Sequence, residues 1–318
     1  MKLREFYEFS VEKGIEVDLR GRVGIAKYLA DVKADYGKLS GKEKEAFDTE
    51  RLWNPFGDTR IVCGDPETEI KRMLVGIEIF GQEMLLAAEL GRRGRPIDLI
   101  FGHHNTCLAR PTAHAGDIMF LQIIMLVEAG VPIHQAEKII NADIATHERP
   151  ENYQHPAIAE LLGQAVIGIH SPCDNYMMCH LRKLVAEQKP QKVGELVQIL
   201  EKIPECAVAA KAGTSHPPKA LVGGAKDSLG KIYYCLTGGW NPTPAAFRKI
   251  AEAGVGTAVM VAASADHTKT ANEFQMNIVR FPHFPADSLG MNLLLDDARK
   301  RWPFEVVACS NFTRVERQ

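Results

Sequence analysis

From Lys71 onward, short apolar runs alternate with segments of helical spacing, and that alternation constrains the fold more than any other feature. "KRMLVGIEI", "IDLIFGHH", "AVIGIHSP", "KIYYCLTGG", "VGTAVMVAAS", "MNIVRFPHF" and "PFEVVACS" have the length and apolar content of buried strands. "CAVAAKAG" and "KALVGGAK" read as two more. Between them lie helical stretches such as "FGQEMLLAAELGRRG", "DNYMMCHLRKLVAEQ" and "PADSLGMNLLLDDARKR". Strands alternating with helices predict an α/β fold with a sizeable sheet. The 318 residues suffice for one large domain or two ordinary ones. Neither a low-complexity linker nor a strong fixed-period repeat divides the chain.

The first sixty residues are polar and read as largely helical. "REFYEFSVEKG" and "GRVGIAKYLADVKADYG" carry apolar residues at helical spacing, each closed by glycine, and "SGKEKEAF" follows with Ser40 as its cap. "RLWNPFGDTRIVCGDP" reads as a loop, rich in Pro, Gly, Asn and Asp. A formal net charge of -2 provides no basic field for nucleic acid or an anionic membrane. The apolar runs fall short of a membrane span. The N-terminus lacks the apolar core of a signal peptide, so the expected location is cytoplasmic. The seven cysteines form no CxxC pair, which argues against a zinc knuckle or a thioredoxin-type motif and fits reduced thiols.

Three strand ends carry residue types that bind metals. One is His103-His104, the second holds His170 and Asp174 in "AVIGIHSPCDN", and the third holds His283 and Asp287 in "NIVRFPHFPADSLG". Ligands of open α/β sheets gather at the carboxyl ends of strands. Taken singly, each group has an ordinary reading. The histidine pair is then loop polarity, Asp174 a helix cap, and Asp287 a first-turn acid of a helix starting at Pro285. Taken together, imidazole and carboxylate without thiolate are the donors of a hydrolytic Zn, Mn or Fe. So many donors exceed one open zinc and suit two metals sharing a bridging water. Adjacent histidines on an extended backbone diverge, so His103 and His104 are expected to face different ions. His170 is read as a general acid or base or as an orienting residue, with a plain polar strand end as the equal alternative.

The remaining candidates have structural readings. His267 is expected to start a helix, with Asp266 as its first-turn acid. His114, His134, His147, His155, His180 and His216 show no partner pattern. The glycines of "LVGGAKDSLGK" offer N–H groups to a phosphate but lack the Lys-Ser/Thr end of a P-loop, so a turn is expected. Cys107 and Cys173 read as incidental or buried thiols.

The motifs, in this order, resemble the Nif-three-like (NGG-one-interacting factor) family, whose members carry the name GTP cyclohydrolase type 2 homologues. "WNPFGDTRIVCGDPETEIKRMLVGIEI" is similar to its opening Trp-Asn-Gly-Gly-Asp-Pro block and first strand. "GHH" is similar to its His-His-Pro, "HSPCDN" to its His-Thr-Asn-x-Asp, and "FPHFPADSLGMNLLLD" to its Gly-His-Tyr-x-[Ser/Thr]-[Asp/Glu] motif and final helix. The resemblance spans about Trp53 to Asn311. It implies an interwoven two-part α/β fold, with mixed sheets flanked by helices. A helical extension over 1–50 would precede a core over 51–318, whose interlinked halves divide near 190–220. It also implies two divalent metal ions (Zn, Fe, Mn, Co or Ni) on His103, His104, Asp174, His283 and Asp287. A homo-oligomer, commonly a hexameric ring, and a small-molecule substrate such as a nucleotide complete the picture.

Asn105 stands where that family has proline, Pro282 where it has glycine, and Asp287 replaces the commoner glutamate. The expected function is a metal-dependent hydrolase of GTP cyclohydrolase type. The alternatives are a metal-binding scaffold or regulatory partner without turnover, and a dinuclear-metal phosphoesterase.

Overall fold

The computed structural model describes residues 1–104, 115–147 and 154–317. Three helices open the chain, α1 (Leu3–Glu16), α2 (Gly21–Lys38) and α3 (Gly41–Glu45). The first half continues as β1 (Thr59–Cys63), β2 (Arg72–Glu78), α4 (Gly81–Arg92), β3 (Leu99–His104), α5 (Ala115–Ala129), α6 (Ile133–His147), α7 (Gln154–Leu161), β4 (Val166–Ile169) and α8 (Ser171–Gln188). Helices α9 (Val193–Glu201) and α10 (Pro204–Ala212) then lead to β5 (Lys219–Val222), β6 (Lys231–Cys235), α11 (Pro244–Glu252), β7 (Val255–Met260), α12 (Ala265–Glu273), β8 (Asn277–Arg280), α13 (His283–Arg299) and β9 (Glu305–Cys309).

The strands form two mixed sheets, ordered β1-β4-β3-β2-β9 and β5-β8-β7-β6. Both repeat one topology. The first strand of each half lies antiparallel against the fourth, and the fourth, third and second run parallel. Each antiparallel pair even carries a register shift at a matching place, at Ile61/Cys63 and at Ala220/Val222. The sequence shows no such repeat, because topology needs only strand-length apolar runs in order, not matching residues. The halves interlock, since β9 returns from the second half to pair with β2. Helices α8 and α13 cross closely at Gly290, where an added Cβ would lie 2.2 Å from the Cys173 carbonyl oxygen. Only glycine permits that approach. Among the described residues, no helix is long and apolar enough to cross a membrane.

Met73–Ile77 of β2 are buried throughout, as expected for a parallel strand covered on both faces. One cover is α1, whose Leu3, Phe6, Phe9 and Val11 join the same apolar cluster as Val75 and Phe101. Phe6 meets Phe101 and Phe304 edge-on, with ring centroids 6.0 and 6.5 Å apart. Part of the polar-looking N-terminus is therefore core.

Three expectations are corrected. The supposed loop after Arg51 contains β1, because its polar residues are buried and bonded. Arg60 is 2% exposed and donates from Nη1 to the carbonyl oxygens of Phe56 and Thr59. "CAVAAKAG" is helix α10, not a strand, since Pro204 at its first position and a run of alanines favour the helix. Helix α13 begins at His283 rather than at Pro285, and Pro285 is tolerated in the first turn, where its missing N–H has no intrahelical partner. The glycine-rich segment between β5 and β6 turns as expected. Its Gly224 N–H donates to Asp227 at 2.7 Å and is satisfied within the turn.

Candidate metal centre

β2, β3 and β4 run parallel in register, with Gly76, Gly102 and Gly168 side by side, so their carboxyl ends share one edge. Just beyond those glycines come Glu78, the pair His103-His104, and His170. Helix α8 adds Asp174 from its first turns, and α13, coming from the other half, adds His283 and Asp287. All six of the residues singled out in the sequence therefore meet. His103 Nε2 lies 3.3 Å from Asp174 Oδ1 and 4.0 Å from Asp287 Oδ1. His104 Nε2 and His283 Nε2 lie 3.8 and 3.4 Å from Asp287 Oδ2. Three groups have donor atoms mutually within 4.8 Å: His103, His104 and His170; His104, His283 and Asp287; and His103, Asp174 and Asp287. Asp287 and the two adjacent histidines each belong to two of them.

The expected divergence of His103 and His104 is only partial. Their rings stand 4.7 Å apart at 36°, yet His103 is fully buried beside Asp174 while His104 reaches the side of His283.

Three imidazoles are anchored through Nδ1. His103 donates to the Ile169 carbonyl oxygen at 3.1 Å, His104 to Glu78 Oε1 at 2.9 Å, and His170 to Asp58 Oδ2 at 2.8 Å. For His103 and His104 this leaves Nε2 as the coordinating atom, the usual support of a metal-bound histidine. Two buried atoms, His103 Nε2 and Asp287 Oδ2, have no hydrogen-bond partner among the described residues. An orphaned buried polar atom costs about 1–3 kcal/mol, and cations held in these groups would satisfy both. The donor set thus fits two divalent metal ions.

The electrostatics agree with a site built for cations. Asp287 is pushed well above the usual carboxylate range by burial and by the nearby Asp174 carboxylate. Burial also works against charge on Asp174, but His170 and His103 outweigh it and hold Asp174 low. His103 is lowered to about 4, first by burial and then by the positive charge of His170. Burial draws His170 down, yet Asp174, Asp58 and Asp287 together raise it to about 9. His283 keeps 44% of its side chain exposed and is lowered by desolvation of its inner face and by His104 and His103.

Sequence reasoning missed two members, Asp58 and Glu78. Asp58 is fully buried and accepts three hydrogen bonds on Oδ2, from His170 Nδ1, Ser171 N and Ser171 Oγ. It was hidden in the segment read as a loop. Glu78 sits opposite His104 in the β2–β3 register, and an acid closing an apolar strand was the available signal. His267 stands in the first turn of α12 as expected: its N–H donates to Oγ of the cap Ser264, and its Nε2 donates to the Pro242 carbonyl oxygen at 2.8 Å. Cys173 is buried beneath the cluster, and burial pushes its thiol up. His134, His155, His180 and His216 belong to none of the three groups. Asn105, Cys107, His114 and the side chain of His147 lie outside the described residues.

The cluster lines a cleft of about 330 Å³, and the segment joining β6 to α11 lines it too.

No family profile and no curated protein matches the sequence. Solved structures do match in fold. A NIF3 superfamily protein from Sphaerobacter thermophilus is 22% identical, with 90% of this chain and 98% of that one covered at a TM-score of 0.67. Reduced HcgD from Methanocaldococcus jannaschii is 12% identical, with coverages of 88% and 97% and a TM-score of 0.50. Over nine-tenths of its length, this chain has the two-part α/β fold of a NIF3 superfamily protein.

Proposed function

We propose that this chain is a metal-dependent hydrolase that holds two divalent ions on His103, His104, Asp174, His283 and Asp287. The observation that carries the reading is the pair of orphaned buried atoms, His103 Nε2 and Asp287 Oδ2, inside convergent His/Asp groups. Divalent ions on these residues would supply Lewis acidity and activate water near neutral pH. The protein's own groups do the rest. Asp58 fixes His170 through Nδ1, so that Nε2 holds a proton beside the cluster and hands it to a departing group. Glu78 keeps His104 turned toward Asp287. The substrate is a nucleotide-sized molecule, and ring opening of GTP is the reaction that the family resemblance favours. A homo-oligomeric ring belongs to the same proposal.

The test begins with elemental analysis of protein purified without a histidine tag, beside an Asp287→Ala variant. About two metals per chain in the parent and a clear loss in the variant support the centre. Metal-loaded protein is then incubated with GTP. Formate release supports the cyclohydrolase reading, and phosphate release supports the phosphoesterase alternative. Bound metal with neither product leaves the scaffold reading ahead.

A further inference from the structure

The segment joining β6 to α11 lines the same cleft as the His/Asp cluster and is hydrogen-bonded to several helices. Gln122 of α5 donates from Nε2 to the carbonyl oxygens of both Gly238 and Trp240, each at 2.9 Å. His267 of α12 holds the Pro242 carbonyl oxygen at 2.8 Å. Thr243 Oγ1 donates to Asp143 Oδ2 of α6 at 2.8 Å. Thr237 Oγ1 donates to Asn175 Oδ1 at 2.8 Å, and Asn175 is the neighbour of Asp174 in α8. Gly238 and Gly239 both have φ of +87°, and a Cβ at either would meet the side chain of Gln122 or Ile118 at 2.8 Å. Four helices thus tie down a backbone conformation that favours glycine. A surface ordered before a ligand arrives spares the ligand that ordering cost.

This fixed segment brings the half-buried Trp240 to the cleft, where Ile118, Met177, Leu236 and Val261 line the same space. One space is thus lined both by apolar side chains with Trp240 and by imidazoles and carboxylates. A cleft of about 330 Å³ is at the small end of ligand sites. We propose that it selects a small molecule with two ends: a flat ring seated against Trp240 and its apolar neighbours, and an anionic head turned to the His/Asp cluster. This specificity rests on the two-metal reading, because the head needs a cation to face. Flat rings gain over saturated chains here, since ring stacking adds to the burial of apolar area.

Phenylphosphonate and methylphosphonate test this directly. They share one anionic head, and only the first has a ring. Each is titrated by calorimetry into the zinc-reconstituted parent, Trp240→Ala and Trp240→Phe, with the zinc content of every sample measured. The parent is expected to bind phenylphosphonate at least about tenfold more tightly than methylphosphonate. Trp240→Ala brings that ratio close to one with zinc content unchanged, and Trp240→Phe keeps most of it. A parent ratio near one, or a ratio unchanged in Trp240→Ala, overturns the proposal while leaving the metal centre standing. Absence of zinc from the reconstituted parent removes the metal reading and this specificity with it.

Discussion

β4 enters α8 through His170 and carries Asp174 four residues later; β8 enters α13 through His283 and carries Asp287 at the same spacing. The two corners occupy equivalent places in the repeated topology, yet their imidazoles are held in opposite states. His170 is buried against Asp58, and its neighbouring carboxylates raise it to about 9 despite the burial. His283 is partly exposed, lies 3.4 Å from Asp287, and is lowered. The difference traces to what precedes the first strand of each half. Asp58 stands immediately before β1, whereas Pro218 stands immediately before β5. Repeated topology brings a histidine and an acid to the same kind of corner twice. Asp174 and the extra buried carboxylate Asp58 then raise the first imidazole despite its burial, while the second is lowered.

Breaking the second corner has the largest expected effect. Asp287 belongs to two of the three groups of donors, so Asp287→Ala is expected to remove both metals and lower affinity by more than the about 10–100-fold lost with a supporting residue. Equilibrium dialysis with zinc checks this. Retention of two tightly bound ions in the variant would show that Asp287 is only a neighbour. The corners then separate by their histidines. His283→Ala is expected to lose one ion per chain. His170→Ala is expected to keep both and, where turnover is measurable, to lower it by about 10²–10⁴-fold as a missing proton carrier does. If His170→Ala loses metal instead, the two corners have the same role and the contrast drawn from Asp58 collapses. A smaller change is expected for Glu78→Gln, which keeps the shape but weakens the hold on His104 Nδ1. Zinc affinity should fall by about 10–100-fold with the stoichiometry unchanged.

The same contrast explains what was legible before the structure. Strand length and apolar content were enough to place β2, β3, β4 and β6 to β9, because parallel strands buried on both faces must be apolar. The five ligand candidates and His170 were legible because each stands at or just past such a strand, where a backbone edge gathers side chains from distant parts of the chain. Asp58 was not legible. Its strand is short, carries a buried Arg60, and depends on hydrogen bonds that no local pattern announces. Glu78 was passed over for a different reason: one acid at a strand end is common, and only pairing β2 with β3 sets it against His104. The burial of α1 was equally hidden, since a helix with alternating charges gives no sign of which sheet it covers. The repeat of the two halves is written in strand order and register shifts, which the residues do not share.

The finest test of the two corners is a slope. In the metal-free protein, folded His170 keeps its proton up to about pH 9, while a histidine in an unfolded chain releases it near 6.5. Between those values the folded state binds more protons, so stability is fully present below pH 6.5 and is lost as pH rises toward 9. His103 gives the opposite wing. Lowered to about 4, it leaves the unfolded chain to take up the proton first, so stability is lost as pH falls from 6.5 toward 4. On these two groups alone, the metal-free protein is most stable near pH 6.5. Asp58→Asn removes one of the carboxylates that hold the His170 proton, while Asp174 and Asp287 remain. The substitution also weakens the acceptor for Ser171 N and Oγ, which lowers stability at every pH by about 1–3 kcal/mol. That offset says nothing about the proton; the slope does. With chelator present, the parent Tm is expected to fall on the order of 5 °C between pH 6.5 and 9, and the variant by roughly half as much, with the acid wing unchanged. An identical alkaline slope in both proteins would mean that Asp174 and Asp287 alone hold the proton, and that Asp58 does not distinguish the first corner from the second.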